Sequence, residues 1–406
     1  MNNIFNVLEE RGYIEQLTHH EEIKNLLNGE PISFYIGIDP TANSMHIGHF
    51  VALMVASRLQ KAGHRPIILM GGGTAVIGDP SGRTDMRQML TRQQLDENVE
   101  CIRKQAERFV SFEGDNAAII VNNADWLLDL NYLNFMREIG SKFTISKMIA
   151  QECYKTRLET GLTFFEMGYL LLQSYDFLYL HDKYNCKLQI GGNDQWSNII
   201  GGVDLIRKIG SEDAFGLTFK LLTKSDGKKM GKTASGALWL NSEKTSPYEF
   251  YQYWRNIEDG SISNVAKILT FLSLEEIEKL ANSKDEKINE AKKKVAFEIT
   301  KLIHGEEEAL KAMETADALF SGQGNIENMP STKLENINIS ITEALVLSEI
   351  APSKGQAKTL ISQNAISLND EKITDINYIL SNNDFENGYA ILKKGKKIFH
   401  KLEKID

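Results

Sequence analysis

The sequence predicts an α/β protein. It reads as a Rossmann-like, doubly wound parallel-sheet domain, followed by an all-α domain and a small α+β domain. Three observations carry that prediction. Residues 34–38 and 65–70 are short strands of buried type that flank a helical stretch, which makes a βαβ unit of about forty residues. Residues 118–121 and 187–190 are two more strands of the same kind, each followed by helical pattern. Glycines and polar residues cluster just after the strand ends, where open parallel sheets bind ligands.

The first strand, 34–38, is aromatic and β-branched with too little alternation for a half-exposed strand, and Asp39-Pro40 stops it. From Gly48 to Gly63 the apolar residues Val51, Met54, Val55, Leu59 and Ala62 fall at helical spacing, and Gly63 stands where a helix-ending glycine belongs. His46 and His49 therefore open a helix. Its free N–H groups and partial positive charge suit a phosphate, and the two imidazoles share one face. The pair also admits two plainer readings, as metal ligands or as ordinary cap residues. No Cys, Glu or third His lies near enough in sequence to complete a metal site.

The strand at 65–70 runs into Gly71-Gly72-Gly73-Thr74, which lacks the final glycine of the dinucleotide fingerprint. Gly78-Asp79-Pro80-Ser81-Gly82-Arg83 is a turn by composition, with Arg87 one helical turn beyond Arg83. Those arginines are either a solvated basic turn or arms that reach a phosphate chain. Asp39, His46, Gly71, Asp79 and Gly191 all fall at the carboxyl ends of strands.

Thr163-Phe164-Phe165-Glu166 has the form of a capping box, so a helix starts there. Along it Tyr169, Gln173 and Asp176 line one face among Leu170, Leu171, Leu172, Phe177 and Leu178. A polar stripe that narrow faces either solvent or a polar ligand. Gly191-Gly192-Asn193-Asp194-Gln195-Trp196 then leads from a strand end into a helix. Gly227-Lys228-Lys229-Met230-Gly231-Lys232-Thr233 is one residue short of a P-loop between its glycines and follows no buried strand, so any phosphate binding there falls to its lysines.

Composition bounds the rest. A chain of 406 residues, 42% hydrophobic, holds two or three domains. A net charge of −9 excludes a wholesale polyanion binder, so any nucleic-acid surface is local. Cys101, Cys153 and Cys186 are odd in number and show no metal spacing, which fits a reducing compartment. There is no apolar run of membrane length, and charges come too early after Met1 for a signal peptide, so a cytoplasmic location is expected.

Beyond the lysine loop the period is helical. Ser246-Pro247-Tyr248-Glu249 combines a capping box with proline at the first helical position, and Ser273-Leu274-Glu275-Glu276 repeats the box. The expected domains are 1–225, a lysine loop and connection at 226–245, an α-helical domain at 246–320, a linker at 321–340 and a terminal domain at 341–406. The last carries Lys393, Lys394, Lys396, Lys397, Lys401 and Lys404 near its end.

Taken together these stretches resemble a known family. His46-Ile47-Gly48-His49 is similar to the HIGH signature of class I aminoacyl-tRNA synthetases. Lys229-Met230-Gly231-Lys232-Thr233 resembles their KMSKS loop, with Gly231 and Thr233 in place of its serines. Gly37-Ile38-Asp39-Pro40-Thr41-Ala42, Tyr169 with Gln173 and Asp176, and Gly191-Gly192-Asn193-Asp194-Gln195 resemble the bacterial tyrosyl-tRNA synthetases in particular, in the same order along the chain. Ser353–Ile361 with Ala365–Asn369 resembles the ribosomal-protein-type RNA-binding module that ends them, without its usual paired arginines.

The resemblance implies activation of tyrosine by ATP, with Mg2+ on the triphosphate and no protein-bound metal, followed by transfer to the 3′ end of tRNA(Tyr). It places Thr41 and His46 at the departing pyrophosphate and His49 at the ribose side of ATP. Lys229, Lys232, Arg83 and Arg87 would lie over the phosphates. Gly37, Asp39, Gly191 and Met230 would adjoin ATP, and Asp194 the ribose hydroxyls. Tyr35 and Asp176 would meet the tyrosine hydroxyl, Tyr169, Gln173 and Asp79 its ammonium, and Gln195 its carboxyl. A homodimer across about 125–153 and contact of 246–320 with the anticodon region are implied too. A tryptophan-specific relative, a small adenylyltransferase and an RNA-binding protein derived from a synthetase are the alternatives.

Overall fold

The computed structural model describes residues 3–79, 91–210, 213–223, 227, 230–233, 236–321, 329, 331–395 and 398–405. The chain forms two compact units. One comprises Met1–Thr223 with Lys267–Leu274, the other Lys224–Ala266 with Glu275–Asp406.

The first unit is built on a six-stranded sheet of β1 (Ile14–Leu17), β2 (Ser33–Ile38), β3 (Arg65–Met70), β4 (Ile119–Asn122), β5 (Cys186–Gly192) and β6 (Phe215–Phe219), in the order β1-β6-β5-β2-β3-β4. From β6 to β4 every pairing is parallel, and the four strands expected from sequence are all present. The expectation of a wholly parallel sheet is corrected at one edge, where β1 pairs antiparallel with β6. Ile14-Glu15-Gln16-Leu17 is half polar and only partly buried, so it carries no buried-strand signal. The central strands are apolar and buried on both faces: in β3 every residue after Arg65 is buried.

Strand order reverses between β2 and β5, which makes the switch-point crevice of an open parallel sheet. The helix Ile47–Lys61 leaves β2 on one side of it, with Phe50, Val51, Leu53, Met54, Val55 and Leu59 buried against the sheet. Ala62 ends that helix and Gly63 follows at φ 108°, a backbone conformation that side chains resist. On the other side, Thr163 and Glu166 form the expected capping box, but Gly168 divides the helix into Phe164–Met167 and Tyr169–Tyr184.

Lys267–Leu274 belongs to this unit because two buried arginines capture its carbonyls. Arg11 donates to the carbonyls of Lys267, Thr270 and Leu272, and Arg58 to that of Thr270 at 2.5 Å. Carbonyls at and just after a helix end carry partial negative charge, so those of Lys267, Thr270 and Leu272 offset these guanidiniums. Burial and the neighbouring Arg58 lower the Arg11 pKa to about 10.

The second unit contains the short hairpin β7 (Lys232–Thr233) and β8 (Gly236–Ala237) and the expected run of helices. Ser246 caps Pro247–Arg255 through the predicted box. Leu274–Ala281, Glu286–His304 and Glu306–Ser321 follow. A five-stranded sheet closes the chain: β9 (Ser331–Leu334), β10 (Ile366–Leu368), β11 (Glu371–Lys372), β12 (Tyr389–Lys394) and β13 (Ile398–Lys404), ordered β11-β10-β12-β13-β9. Its core holds Leu334, Ile341, Leu345, Ile361, Leu392 and Leu402.

One expectation changes here. Residues 331–334, assigned to a linker, form the strand β9 beside β13, so the small domain starts before residue 341. The terminal lysines differ in their surroundings. Lys401 is buried beside Glu403, Lys393 pairs with Asp370, and Lys394 donates to the Ile350 carbonyl at 3.1 Å. Strand alternation turns some of them inward. Lys396 and Lys397 lie outside the described residues.

Candidate active site

The crevice between β2 and β5 is lined by a chain of side chains that begins at Asp176. This carboxylate is 1% exposed. Trp126 Nε1 donates to its Oδ1 at 2.8 Å and Asn123 Nδ2 to its Oδ2 at 2.9 Å. Burial outweighs these two donors and Asp39 adds like charge, so the Asp176 pKa rises to about 7. Asn123 also donates to Thr74 Oγ1 at 3.0 Å and accepts from the Gly73 N–H at 2.7 Å. Thr74 donates to Asp39 at 3.2 Å, and Tyr169 donates its hydroxyl to the other Asp39 oxygen, also at 3.2 Å.

Beside this network stands Tyr35 of β2, 1% exposed, with its ring 5.3 Å from that of Phe177. Its hydroxyl has no partner among the described residues, and burial with the nearby Asp176 charge raises its pKa well above the ordinary value. A buried hydroxyl without a partner is costly unless a ligand completes it. Gln173 Oε1 is a second buried polar atom without a partner, while its Nε2 reaches Gln195 Oε1 at 3.4 Å. Gln195 in turn donates to Asp79, which is 5% exposed, at 2.6 Å. Tyr35, Gln173 and Asp176 thus bring two partnerless polar atoms and a buried carboxylate into one crevice.

After β2 the chain leads into the helix Ile47–Lys61. His46 is its N-cap, and its Nδ1 accepts the Gly48 N–H at 3.1 Å. His49 Nδ1 accepts the His46 N–H at 3.2 Å, and the two rings lie 4.2 Å apart. This is a capping box made of imidazoles, and it fixes both rings at a positive helix end. Thr41 is exposed just after β2, and Asp194 is exposed at the turn after β5. Gly37 and Gly191 lie within β2 and β5 near their carboxyl ends. Gly71 has to be glycine: a Cβ there would stand 2.2 Å from Asp39 Oδ1.

Of the expected site residues, Tyr35, Asp39, Asp79, Tyr169, Gln173, Asp176 and Gln195 therefore come together in one crevice. Arg83, Arg87 and Lys229 lie outside the described residues, as does the side chain of Lys232. Met230 is half-buried in the second unit. Thr74, Asn123 and Trp126 were not foreseen. Asn123 follows the carboxyl end of β4, the same position that singled out Asp39 and Gly71. Among the described residues no group of three His, Cys, Asp or Glu side chains comes together as a metal site, and no helix is long and apolar enough to cross a membrane.

Comparison with known proteins agrees with this geometry. Residues 27–321 match the model of class I tRNA synthetases (W and Y), and residues 322–402 match the tyrosine–tRNA ligase SYY-like C-terminal domain. A tyrosine–tRNA ligase of Acetivibrio thermocellus is 54% identical over 407 residues, covering 99% of this chain and 100% of that one. One from Clostridium kluyveri is 54% identical over 404 residues, covering 99% of each. Among solved structures, a C-terminally truncated mitochondrial tyrosyl-tRNA synthetase of Aspergillus nidulans superposes with a TM-score of 0.70 at 28% identity, over 79% of this chain and 94% of that one. The crevice, the histidine-capped helix and the full-length match together make this chain a member of the class I tRNA synthetases of the tryptophan and tyrosine group, in their bacterial tyrosyl branch.

Proposed function

We infer that this chain is a tyrosine–tRNA ligase: it joins tyrosine to ATP as tyrosyl-adenylate, releases pyrophosphate, and passes the tyrosyl group to the 3′ end of tRNA(Tyr). The full-length likeness to tyrosine–tRNA ligases carries the reaction. The observation that favours tyrosine in this chain's own residues is the buried pair of Asp176 and the partnerless Tyr35 hydroxyl. A phenol hydroxyl would give its hydrogen to Asp176 and complete Tyr35. Phenylalanine would leave both unpaired, which a buried site penalises heavily.

The first step needs no protein nucleophile, because the tyrosine carboxylate attacks the α-phosphate in line. The protein positions the reactants and stabilises charge growing on the phosphates. In our reading Tyr169, Gln173 and Asp79 hold the ammonium, and Gln195 orients beside the carboxyl. His46, His49 and Thr41 meet the phosphates and ribose at the helix start. Gly37, Asp39 and Gly191 border ATP, and Asp194 meets the ribose hydroxyls. Lys229, Lys232, Arg83 and Arg87 supply positive charge to the triphosphate, and Met230 adjoins it. Mg2+ enters on the triphosphate as part of the substrate.

The helices from Pro247 onward and the small terminal domain are assigned to tRNA contact. The terminal domain offers Lys354 and Lys358, both exposed, on the helix Lys354–Ser362. A homodimer is proposed from the large apolar side chains left exposed between Leu128 and Phe165, among them Tyr132, Leu133, Ile145 and Phe164. A cytoplasmic location completes the reading.

The experiment is exchange of labelled pyrophosphate into ATP with each of the twenty amino acids in turn. Exchange with tyrosine alone is expected. Exchange with tryptophan would keep the reaction and overturn the assignment of Asp176 and Tyr35.

A further inference from the structure

Gly231, in the middle of the lysine loop, is fixed through both of its main-chain groups. Its N–H donates to the Tyr253 hydroxyl at 2.7 Å, and its carbonyl accepts the Leu238 N–H at 2.7 Å. Its φ of 84° lies where only glycine rests without strain, which explains glycine at a position where the related signature carries serine. Lys232 follows at once, as the first residue of β7, paired with Ala237 of β8. The backbone that carries Lys232 therefore starts from a point tied to Tyr253.

Tyr253 is a firm point of attachment. It sits on the helix Pro247–Arg255, whose start is closed by the Ser246–Glu249 capping box and by Pro247. Tyr248, Phe250, Tyr251 and Trp254 of that helix are buried, and the Trp254 ring packs edge-on against Tyr253 at 5.0 Å. Burial raises the Tyr253 pKa, so the group stays a neutral hydroxyl that can accept the Gly231 N–H. A rigid helix thus presents one oxygen to one amide of an otherwise short hairpin, and a two-residue ladder has little stability of its own.

We propose that Tyr253 is a positioning residue for tyrosine activation: its hydroxyl holds Gly231 so that the backbone of Lys232 is set before ATP arrives. This rests on the reading that Lys232 serves the triphosphate. The pinned turn removes conformational freedom that the reaction would otherwise have to remove.

The test is Tyr253→Phe in the full chain, which deletes one oxygen and keeps the ring. Expected is a fall in kcat for pyrophosphate exchange of about five-fold, the size of one neutral hydrogen bond, with KM for tyrosine unchanged. Amide exchange in the peptide spanning 230–238 should quicken while the helix Pro247–Arg255 stays protected. Gly231→Ala should lower kcat as well, and the double variant should be no worse than the worse single variant. An unchanged kcat, a raised kcat, additive losses, or a parallel rise in the tyrosine KM would each overturn the proposal. Lys232→Ala separates the two ideas. If that change leaves exchange intact, the reading of the loop has failed; if it lowers exchange and Tyr253→Phe does not, only the role of Tyr253 has failed.

Discussion

Trp126 Nε1 donates to Asp176 Oδ1 at 2.8 Å, which takes up one oxygen of a carboxylate that is 1% exposed. With Asn123 on the other oxygen, Asp176 accepts from two neutral donors and, among the described residues, meets no cation. The acceptor is aimed by its neighbours and left strong, because a neutral donor does not cancel its charge as an arginine would.

The first prediction follows from that charge. The Asp176 pKa rises from 3.8 to about 7, so the folded state binds a proton that the unfolded state has lost between those values. Stability falls as pH rises through that window, and the cost is fully present above about pH 7. Asp176→Asn removes it, so the variant should gain stability relative to wild type on going from pH 4 to pH 8, by on the order of 2–4 kcal/mol. Urea unfolding at the two pH values checks this, and a constant difference would show that Asp176 does not titrate there. The same variant should lower the preference for tyrosine over phenylalanine in exchange by about ten- to a hundred-fold.

Asn123→Ala is the second prediction. It leaves the buried Asp176 with one donor fewer and frees Thr74 and the Gly73 N–H from the same amide. A hydrogen bond to a charged group contributes about 1.5–3 kcal/mol, so the tyrosine KM should rise at least about ten-fold while the ATP KM stays near its wild-type value. Equal rises in both would mean that the change had disturbed the crevice as a whole.

How far the sequence foretold this site depends on which physical signal each residue carries. β2, β3 and the helix Ile47–Lys61 were legible because apolar periodicity and Gly63 mark them locally. Tyr169, Gln173 and Asp176 were legible as a polar stripe on a helix that is otherwise buried. Asn123 and Trp126 were not, because their role is set by a contact with a residue about fifty positions away. β1 escaped for a related reason: only its pairing with β6 makes Ile14–Leu17 a strand. The split at Gly168 is local yet ambiguous, since a single glycine is tolerated within many helices.

The third prediction concerns assembly. Leu133 is 74% exposed and Phe164 68%, in a stretch that also exposes Tyr132 and Ile145. Leu133→Asp should shift the protein toward monomer in light scattering, because burying a carboxylate in a subunit interface carries a desolvation cost that burying leucine does not. An unshifted mass would place the interface elsewhere.

The last prediction separates the two chemical steps. The small terminal domain has its own core, from Leu334 through Ile361 to Leu402, and its sheet includes β9, so a clean truncation falls after Ser321 and not at residue 341. Removing 322–406 takes away Lys354 and Lys358 but none of the side chains that line the crevice beside Asp176. Tyrosine-dependent pyrophosphate exchange should therefore survive within about two-fold, whereas charging of tRNA should lose at least about ten-fold in kcat/KM, and the loss should shrink at low salt, where the remaining phosphate contacts strengthen. A truncation at 341 would instead leave β9 without its partner β13 and expose Leu334, so it should aggregate more readily than the one at 321. Charging that survives the longer truncation unchanged would remove the terminal domain from tRNA recognition and leave the helices from Pro247 onward to account for it.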